Sequence, residues 1–224
     1  MMTALDGYFI VDKPSGMTSH DVVQVIRRKI NMRRVGHAGT LDPLATGVLI
    51  ALIGPSTKLF DKFSAFDKEY EATLLLGTVT DSADIQGKIL KESPFDHITK
   101  EQIEDVFKQF VGHIEQIPPM VSAVKVNGKR LYKLARKGIE VKREPRQIHI
   151  SSIQLLEFNP PYAKFHLACS KGTYVRKLAE DAGGLLGCGA CISQIRRTRV
   201  GQFVITDSVN LENLNESHIQ RWSA

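Results

Sequence analysis

The chain has 224 residues, 42% hydrophobic and 24% charged, which is enough to bury one large core or two small ones. Lysine and arginine total 30 against 24 acidic residues, and the net charge of +6 suits a polyanionic partner without proving one. No apolar run approaches the roughly 20 residues that span a bilayer, and residues 1–12 lack the basic region of a signal peptide. Three cysteines form no even-numbered disulfide framework, so we expect a cytoplasmic protein.

The first predicted elements are a strand and a helix. Residues 8–11 are apolar, a turn follows, and Thr18 or Ser19 can cap a helix. Its apolar positions fall on one face, as expected for an amphipathic helix: Val22, Val23, Ile26 and Ile30. Basic residues line its other face and the segment after it, which we interpret as a solvated surface: Arg27, Arg28, Lys29, Arg33 and Arg34.

Residues 36–50 carry the strongest local signal. They combine three glycines, one proline, His37 and Asp42, and they end in an apolar run at residues 48–53 that predicts a core element. Glycine permits unusual backbone angles and proline fixes φ, so a shaped loop is expected. Asp42 is the first candidate for chemistry, because functional residues concentrate in loops held on rigid scaffolds.

The middle of the chain predicts alternating helices and strands. Apolar residues at helical spacing predict a helix over residues 55–66, and residues 68–76 predict a strand. Asp81 and Asp84 in the turn-rich segment after that strand are interpreted as a solvated turn and not a cation site. Thr99 and Gln102 form a capping box at the start of an amphipathic helix.

A strongly basic segment follows at residues 125–146. It has nine lysines and arginines against two glutamates: Lys125, Lys129, Arg130, Lys133, Arg136, Lys137, Lys142, Arg143 and Arg146, with Glu140 and Glu144. This density of cations argues for phosphate contacts, and a solvated helix and loop is the alternative.

The last third predicts a strand pair, a helix and a final strand. Residues 148–158 and 162–169 alternate as strands, and Thr173 can cap a helix that carries Arg176 in its first turn. Residues 195–205 predict the final strand and residues 211–222 a short amphipathic helix.

One further cysteine pattern and several missing motifs bear on the chemistry. Cys188 and Cys191 have C-x-x-C spacing, but no second pair completes a zinc site. The sequence has no phosphate loop, dinucleotide fingerprint or zinc-hydrolase motif. From the residues alone, Asp42 on a basic surface fits a nucleophile or general base acting on a glycosidic bond or base of a nucleic acid.

Five stretches, in order along the chain, resemble the motifs of the bacterial tRNA pseudouridine-55 synthases, the TruB-type family. They read YFIVDKPSGMTS at residues 8–19, GHAGTLDPLATGVL at 36–49, KEY at 68–70, QIPPMVSAVKVNGKRLY at 116–132 and CSKGTYVR at 169–176. The resemblance covers most of the chain, and several long motifs in the right order are far more specific than any one of them.

The resemblance implies an α+β pseudouridine synthase fold. Its sheet is mixed and largely antiparallel, flanked by helices, and an RNA-gripping insertion occupies about residues 120–150. A single catalytic domain over residues 1–224 is expected, without the C-terminal RNA-binding PUA domain that most relatives carry. The implied reaction is the isomerisation of uridine 55 to pseudouridine in the TΨC stem-loop of tRNA, without cofactor or metal. The T-arm is the implied partner; no membrane or protein partner is expected, and the chain is expected to be a monomer.

The resemblance also implies roles for individual residues. Asp42 would be the nucleophile or base, acting on the sugar, the base or a proton. Tyr70 would stack on the flipped uracil, and Arg176 would pair with Asp42 and keep it ionised. The implied substrate-binding residues are His37, which enters the RNA loop as the nucleotide turns out, together with Lys13, Tyr174, Ile195, Lys125, Lys129 and Arg130.

Two other functions stay open. One is a non-catalytic RNA-folding factor that opens the T-arm with the same surface. The other is an enzyme that modifies a different uridine, in ribosomal or guide-directed RNA. The combination of Asp42, Tyr70 and Arg176 argues against a pure binding protein, which needs no ionised carboxylate facing RNA.

Overall fold

The computed structural model describes residues 5–122, 124–126, 128–135 and 138–222. Its strands are β1 (Gly7–Lys13), β2 (Val35–Ala38), β3 (Thr46–Ile53), β4 (Lys68–Leu76), β5 (Thr78–Thr80), β6 (Ile89–Glu92), β7 (Gly112–Gln116), β8 (Lys125–Val126), β9 (Lys129–Arg130), β10 (Arg146–Asn159), β11 (Tyr162–Cys169), β12 (Ala190–Val200), β13 (Phe203–Val204) and β14 (Val209–Asn210). Its α-helices are α1 (Ser19–Lys29), α2 (Phe60–Ser64), α3 (Lys100–Lys108), α4 (Leu131–Ala135) and α5 (Val175–Leu186). Within these described residues, 3-10 helices cover Gly54–Leu59, Ile205–Asp207 and Glu216–His218.

The chain divides into two compact units, and both boundaries fall inside strands. Unit 1 comprises Met1–Glu71 and Gln194–Ala224, and unit 2 comprises Ala72–Ser193. The boundaries therefore cut β4 and β12, each of which contributes residues to both units.

Unit 1 is built on β3, which is fully apolar from Val48 onward and buried. Strands β1 and β2 pair with β3 in antiparallel fashion, and the unit 1 part of β12 pairs with it in parallel. Strand β14 pairs with β1 in parallel, and β13 pairs with β12 in antiparallel fashion. An aromatic cluster fills the adjacent core, where the Phe63 and Phe203 rings stack at 5.5 Å and Trp222 meets Phe63 edge-on at 4.9 Å.

Helix α1 begins at a complete capping box. The Thr18 hydroxyl accepts from the Asp21 amide, and the Asp21 carboxylate accepts from the Thr18 amide. This satisfies two of the amides that a helix start leaves without partners. The predicted apolar face is buried, and the predicted helix is confirmed.

Unit 2 contains a second, antiparallel group of strands. Strand order there is β4, β11, β10 and β7, with β10 paired antiparallel to both β11 and β7. Helix α3 packs against β10 and α5, and the Phe107 and Phe165 rings lie 5.3 Å apart. The predicted capping box of Thr99 and Gln102 is present at the start of α3.

The predicted fold class is confirmed. The described strands pair in mixed but mostly antiparallel fashion, and the described helices are few. Strand β4 has the predicted bounds, and the predicted pair of strands near the C-terminal third is β10 and β11. Across the described ranges, no helix is long and apolar enough to cross a membrane.

Three predicted elements are wrong in extent or type. The final strand begins at Ala190 and ends at Val200, five residues before the predicted end. Residues 55–66 form a 3-10 turn followed by the short α2 instead of one helix. Residues 211–222 are mostly turns, because Gln220 pairs through its backbone with Tyr8 and Trp222 packs into the aromatic cluster.

Candidate active site

The segment that carries Asp42 is an ordered loop in unit 1. It spans residues 39–45, between β2 and β3, and is called the Asp42 loop below. Ser19 at the start of α1 holds it: the Leu41 amide donates to the Ser19 hydroxyl at 2.8 Å, and that hydroxyl donates to the Leu41 carbonyl at 3.1 Å. Asp42 itself is partly buried, and its carbonyl accepts from the Ala45 amide at 3.1 Å. The expected shaped loop is present.

Lys13 contacts the Asp42 loop and has no solvent exposure. Its ammonium donates to the carbonyls of Pro14 at 2.8 Å, Met17 at 2.6 Å and Pro43 at 3.4 Å. Burial lowers the pKa of Lys13 to about 8, and the nearby Asp42 carboxylate opposes that shift. Lys13 therefore places a positive charge close to Asp42 and binds the residue that follows it.

A second buried cation in unit 1 is Arg197 on β12, which is 1% exposed. Its guanidinium donates to the carbonyls of Gly39 at 2.9 Å, Thr40 at 3.4 Å and Val48 at 2.7 Å. Arg197 was not among the residues predicted from the sequence. One sequence feature could have indicated Arg197: it lies two residues after Ile195 in a strand, and strand side chains two residues apart share a face.

Three other predicted residues also belong to unit 1. Tyr70 on β4 is buried, at 8% exposure, in a strand whose side chains alternate between buried and partly buried. His37 is a partly buried residue of β2, opposite Ala51 of β3, and Ile195 is partly buried on β12. Unit 1 thus contains the predicted residues Lys13, His37, Asp42, Tyr70 and Ile195.

Arg176 belongs to unit 2 and lies, as predicted, in the first turn of α5. It is 5% exposed. One guanidinium nitrogen donates to the Ser82 carbonyl at 2.7 Å, and another donates to the Val121 carbonyl at 3.1 Å. Because Asp42 and Arg176 belong to different units, their predicted pairing stays a prediction.

Asp84 is the second functional candidate that the sequence analysis missed. Its predicted place in a solvated turn is wrong: Asp84 is 5% exposed, and its carboxylate lies 3.7 Å from the Arg176 guanidinium. The same carboxylate accepts from the Ser82 hydroxyl at 2.7 Å and the Gln86 amide at 3.0 Å. Only Asp81, its neighbour in the turn, is exposed as expected.

The start of α5 is held by an amide and not by a hydroxyl cap. Gln116 at the end of β7 accepts from the Tyr174 amide at 2.8 Å and donates to the Tyr174 carbonyl at 3.1 Å. Tyr174 is the N-cap residue, so the predicted Thr173 cap is wrong; the Thr173 hydroxyl donates to the Ser170 carbonyl instead.

The basic segment of unit 2 contains a short hairpin, formed by β8 and β9 and turned at Gly128 with φ of +77°. Lys129 is exposed on it. The side chains of Lys125 and Arg130, and all of Arg136 and Lys137, lie outside the described residues. Two cations near the end of the segment have acidic partners: Arg143 contacts Glu140 at 3.1 Å and Lys142 contacts Glu144 at 3.5 Å.

The cysteine thiols of unit 2 are buried and reduced. Burial raises the pKa of the Cys191 thiol to about 11, which opposes thiolate chemistry there. In the part of the chain that the structure describes, no group of three or more His, Cys, Asp or Glu side chains could hold a metal ion.

Comparison with known proteins identifies two matching family profiles. Residues 27–175 match the TruB family pseudouridylate synthase N-terminal domain, and residues 176–222 match the tRNA pseudouridylate synthase B C-terminal domain. The chain is 49% identical to the tRNA pseudouridine synthase B of Clostridium tetani, over 97% of this chain and 75% of that protein. It is 51% identical to the protein of the same name from Opitutus terrae, over 93% of this chain and 86% of that protein.

Solved structures with the same fold were also found. A chain in the crystal structure of a Cbf5–Nop10–Gar1 complex superposes with a TM-score of 0.74 at 32% identity, over 94% of this chain. A chain from an H/ACA RNP bound to a substrate RNA containing 2′-deoxyuridine gives a TM-score of 0.71 at 28% identity. The present chain spans about half the length of these two, 54% and 53%.

Proposed function

Because this chain belongs to the TruB family of pseudouridylate synthases, we propose that it isomerises uridine 55 of the tRNA TΨC stem-loop to pseudouridine. The observation that carries the proposal is the identity of about half of its residues with proteins named tRNA pseudouridine synthase B, over more than nine-tenths of the chain. The solved neighbour that binds a substrate RNA supports an RNA substrate in general.

In the proposed reaction the bond between N1 of uracil and C1′ of ribose breaks. The uracil then turns, and C5 bonds to C1′. C5 releases its proton and N1 gains one, so the product is an isomer of the substrate and no cofactor is consumed. Asp42 acts as nucleophile or base; attack on the sugar, attack on the base and proton abstraction are the three alternatives.

The geometry around Asp42 supports this role. The Asp42 loop is bound by Lys13, Ser19 and Arg197, so the carboxylate is carried by backbone that is fixed before substrate arrives. A preorganised charged group accelerates a reaction more than a mobile one, because less reorganisation accompanies the transition state.

The remaining predicted residues have proposed roles in holding the nucleotide. Tyr70 stacks on the uracil, and Ile195 packs against it. Arg176 pairs with Asp42, and Tyr174 supports hydrogen bonding in the site. His37 occupies the space left in the RNA loop when the nucleotide turns out, which offsets an unstacking cost of a few kcal/mol.

The basic hairpin is proposed to grip the RNA backbone. Lys125, Lys129 and Arg130 lie on β8 and β9, and Lys129 is exposed to solvent. Cations of this kind bind phosphates and position an RNA without reading its sequence.

Isotope release from an unmodified tRNA transcript tests the proposal. The transcript carries a hydrogen label at C5 of its uridines, and the released label is counted while the product is mapped by position. We expect one label released per tRNA and pseudouridine at position 55, and no release from a transcript with cytidine at that position. Release from another uridine would indicate a different target, and tight binding without release would favour the RNA-folding factor.

A further inference from the structure

Arg197 is a buried cation whose charge is compensated by backbone carbonyls. It is the largest fully buried side chain among the described residues. Its three carbonyl partners lie on Gly39, Thr40 and Val48, and no acidic side chain in the described ranges forms an ion pair with it. Burying a charge is costly unless hydrogen bonds compensate it, so the position of these carbonyls and that of the guanidinium depend on each other.

The carbonyls bound by Arg197 lie on both sides of Asp42 in the chain. Gly39 and Thr40 begin the Asp42 loop, and Val48 lies just inside β3. One rigid guanidinium therefore fixes the distance between the two ends of the segment that carries the carboxylate.

The backbone of Arg197 meets the same segment. Arg197 pairs with Gly47 in the parallel register of β12 and β3. Gly47 has φ of +98°, and a Cβ placed there would lie 2.2 Å from the Arg197 carbonyl oxygen. Side chain and backbone of Arg197 thus contact the Asp42 loop at Gly39 and Thr40 and the start of β3 at Gly47 and Val48.

Lys13 is the other buried cation that binds the Asp42 loop. Lys13 donates to the carbonyl of Pro43, directly after Asp42, whereas Arg197 binds the carbonyls two and three residues before it. Lys13 and Arg197 repel each other, so neither position is favoured by their mutual interaction. Hydrogen bonds to carbonyls of the Asp42 loop hold both Lys13 and Arg197 in place despite this repulsion.

We propose that Arg197 is a positioning residue for Asp42, one that sets the place of the carboxylate through the loop backbone without touching the RNA. This inference rests on the proposed function. Loss of an ordinary core residue would lower stability but leave the rate of the chemical step intact in the folded protein. Loss of Arg197 should lower that rate.

The test compares three variants of the full chain in single-turnover label release from the same tRNA transcript. Arg197→Lys keeps the charge but lacks the rigid fork that reaches both Gly39 and Val48, so we expect a rate constant lower by about tenfold. Arg197→Met removes all three bonds and should lower it about 100-fold, the effect of a misplacement of about 1 Å. Arg196→Lys, at the neighbouring residue that contacts Asp12 and Thr46, is the matched control and should stay within about twofold of wild type.

The readout that distinguishes positioning from stability is the rate at saturating tRNA. All variants are assayed well below their melting temperatures, and the tRNA dissociation constants should agree with wild type. If Arg197→Met fails to fold, Arg197→Lys decides. A wild-type rate in Arg197→Lys, or a loss that saturating tRNA restores, would overturn the inference alone. A wild-type protein that releases no label would overturn the proposed function as well.

Discussion

The buried pair of Asp84 and Arg176 allows a quantitative test of the architecture around α5. Their side chains are 7% and 6% exposed, and Asp84 also accepts from the Ser82 hydroxyl and the Gln86 amide. Removing one partner of a buried pair costs about 3–5 kcal/mol. Arg176 keeps its hydrogen bonds to the Ser82 and Val121 carbonyls when Asp84 is replaced, so the lower end of this range applies. The 3.7 Å separation is longer than a direct hydrogen bond, so we expect about 3 kcal/mol for Asp84→Ala.

Two further variants make this magnitude interpretable. Asp84→Asn keeps the shape and an acceptor but loses the charge, and should cost about 2 kcal/mol because hydrogen bonds to charged groups are the stronger ones. Asp81→Ala is the matched control in the same turn: Asp81 is exposed and accepts one hydrogen bond, from the Lys88 amide at 2.9 Å, so about 1 kcal/mol or less is expected.

Urea unfolding, fitted with one m-value for all variants, measures these differences in the free energy of unfolding. Single-turnover label release measures the effect of each variant on the proposed reaction. Both Asp84 variants should slow release, because Arg176 belongs to the proposed catalytic set, and Asp81→Ala should not. If Asp84→Ala and Asp81→Ala destabilise the protein equally, Asp84 does not act as the buried partner of Arg176, and the reasoning is refuted.

Two further predictions concern Lys13 and the basic hairpin. Burial lowers the pKa of Lys13 from 10.5 to about 8, so between these pH values the unfolded chain holds a proton that the folded chain has released. The free energy of unfolding of wild type relative to Lys13→Met should therefore rise with pH across that window, by at most about 1.4 kcal/mol per pH unit, and stay level below pH 8; a constant difference in urea unfolding would contradict this. For the hairpin, replacing Lys125, Lys129 and Arg130 by alanine should weaken tRNA binding and reduce the salt slope by about 2, whereas Lys108→Ala on α3 should leave it unchanged. An unchanged slope in a salt titration of the triple variant would show that these cations do not contact phosphates.

Local signals predicted the regular elements of this chain well. The strand over Lys68–Leu76, the helix cap at Thr18 or Ser19 and the capping box of Thr99 depend on residues within a few positions of each other, and all three elements are found. Such elements are specified by side-chain period and by the partners of the first helical amides, both of which can be read from the sequence.

Three of the features that were missed involve partners that are distant in sequence. The helix expected at residues 211–222 gives way to turns and a short 3-10 helix, and Gln220 exchanges backbone hydrogen bonds with Tyr8. The contact of Asp84 with Arg176 depends on the packing of α5. Likewise, nothing next to Arg197 in the sequence indicates that it binds the carbonyls of Gly39 and Val48. Tertiary contacts of this kind override local propensity, and a single sequence does not contain them.

The family resemblance extended the functional analysis further than the residue patterns did. Composition and charge favoured a nucleic-acid partner, and the Asp42 loop indicated chemistry, but only the ordered set of motifs indicated a pseudouridine synthase. The family comparison confirms that membership. The individual site residues stay predictions.

The measurement that tests the central claim most directly is label release by Asp42→Asn. This variant keeps the size of the side chain and removes its negative charge, so tRNA binding should be retained while release from C5 of uridine falls below detection. Asp61→Asn, an exposed residue of α2, is the matched control and should release label at the wild-type rate. Release by Asp42→Asn at a rate near that of wild type would contradict the account.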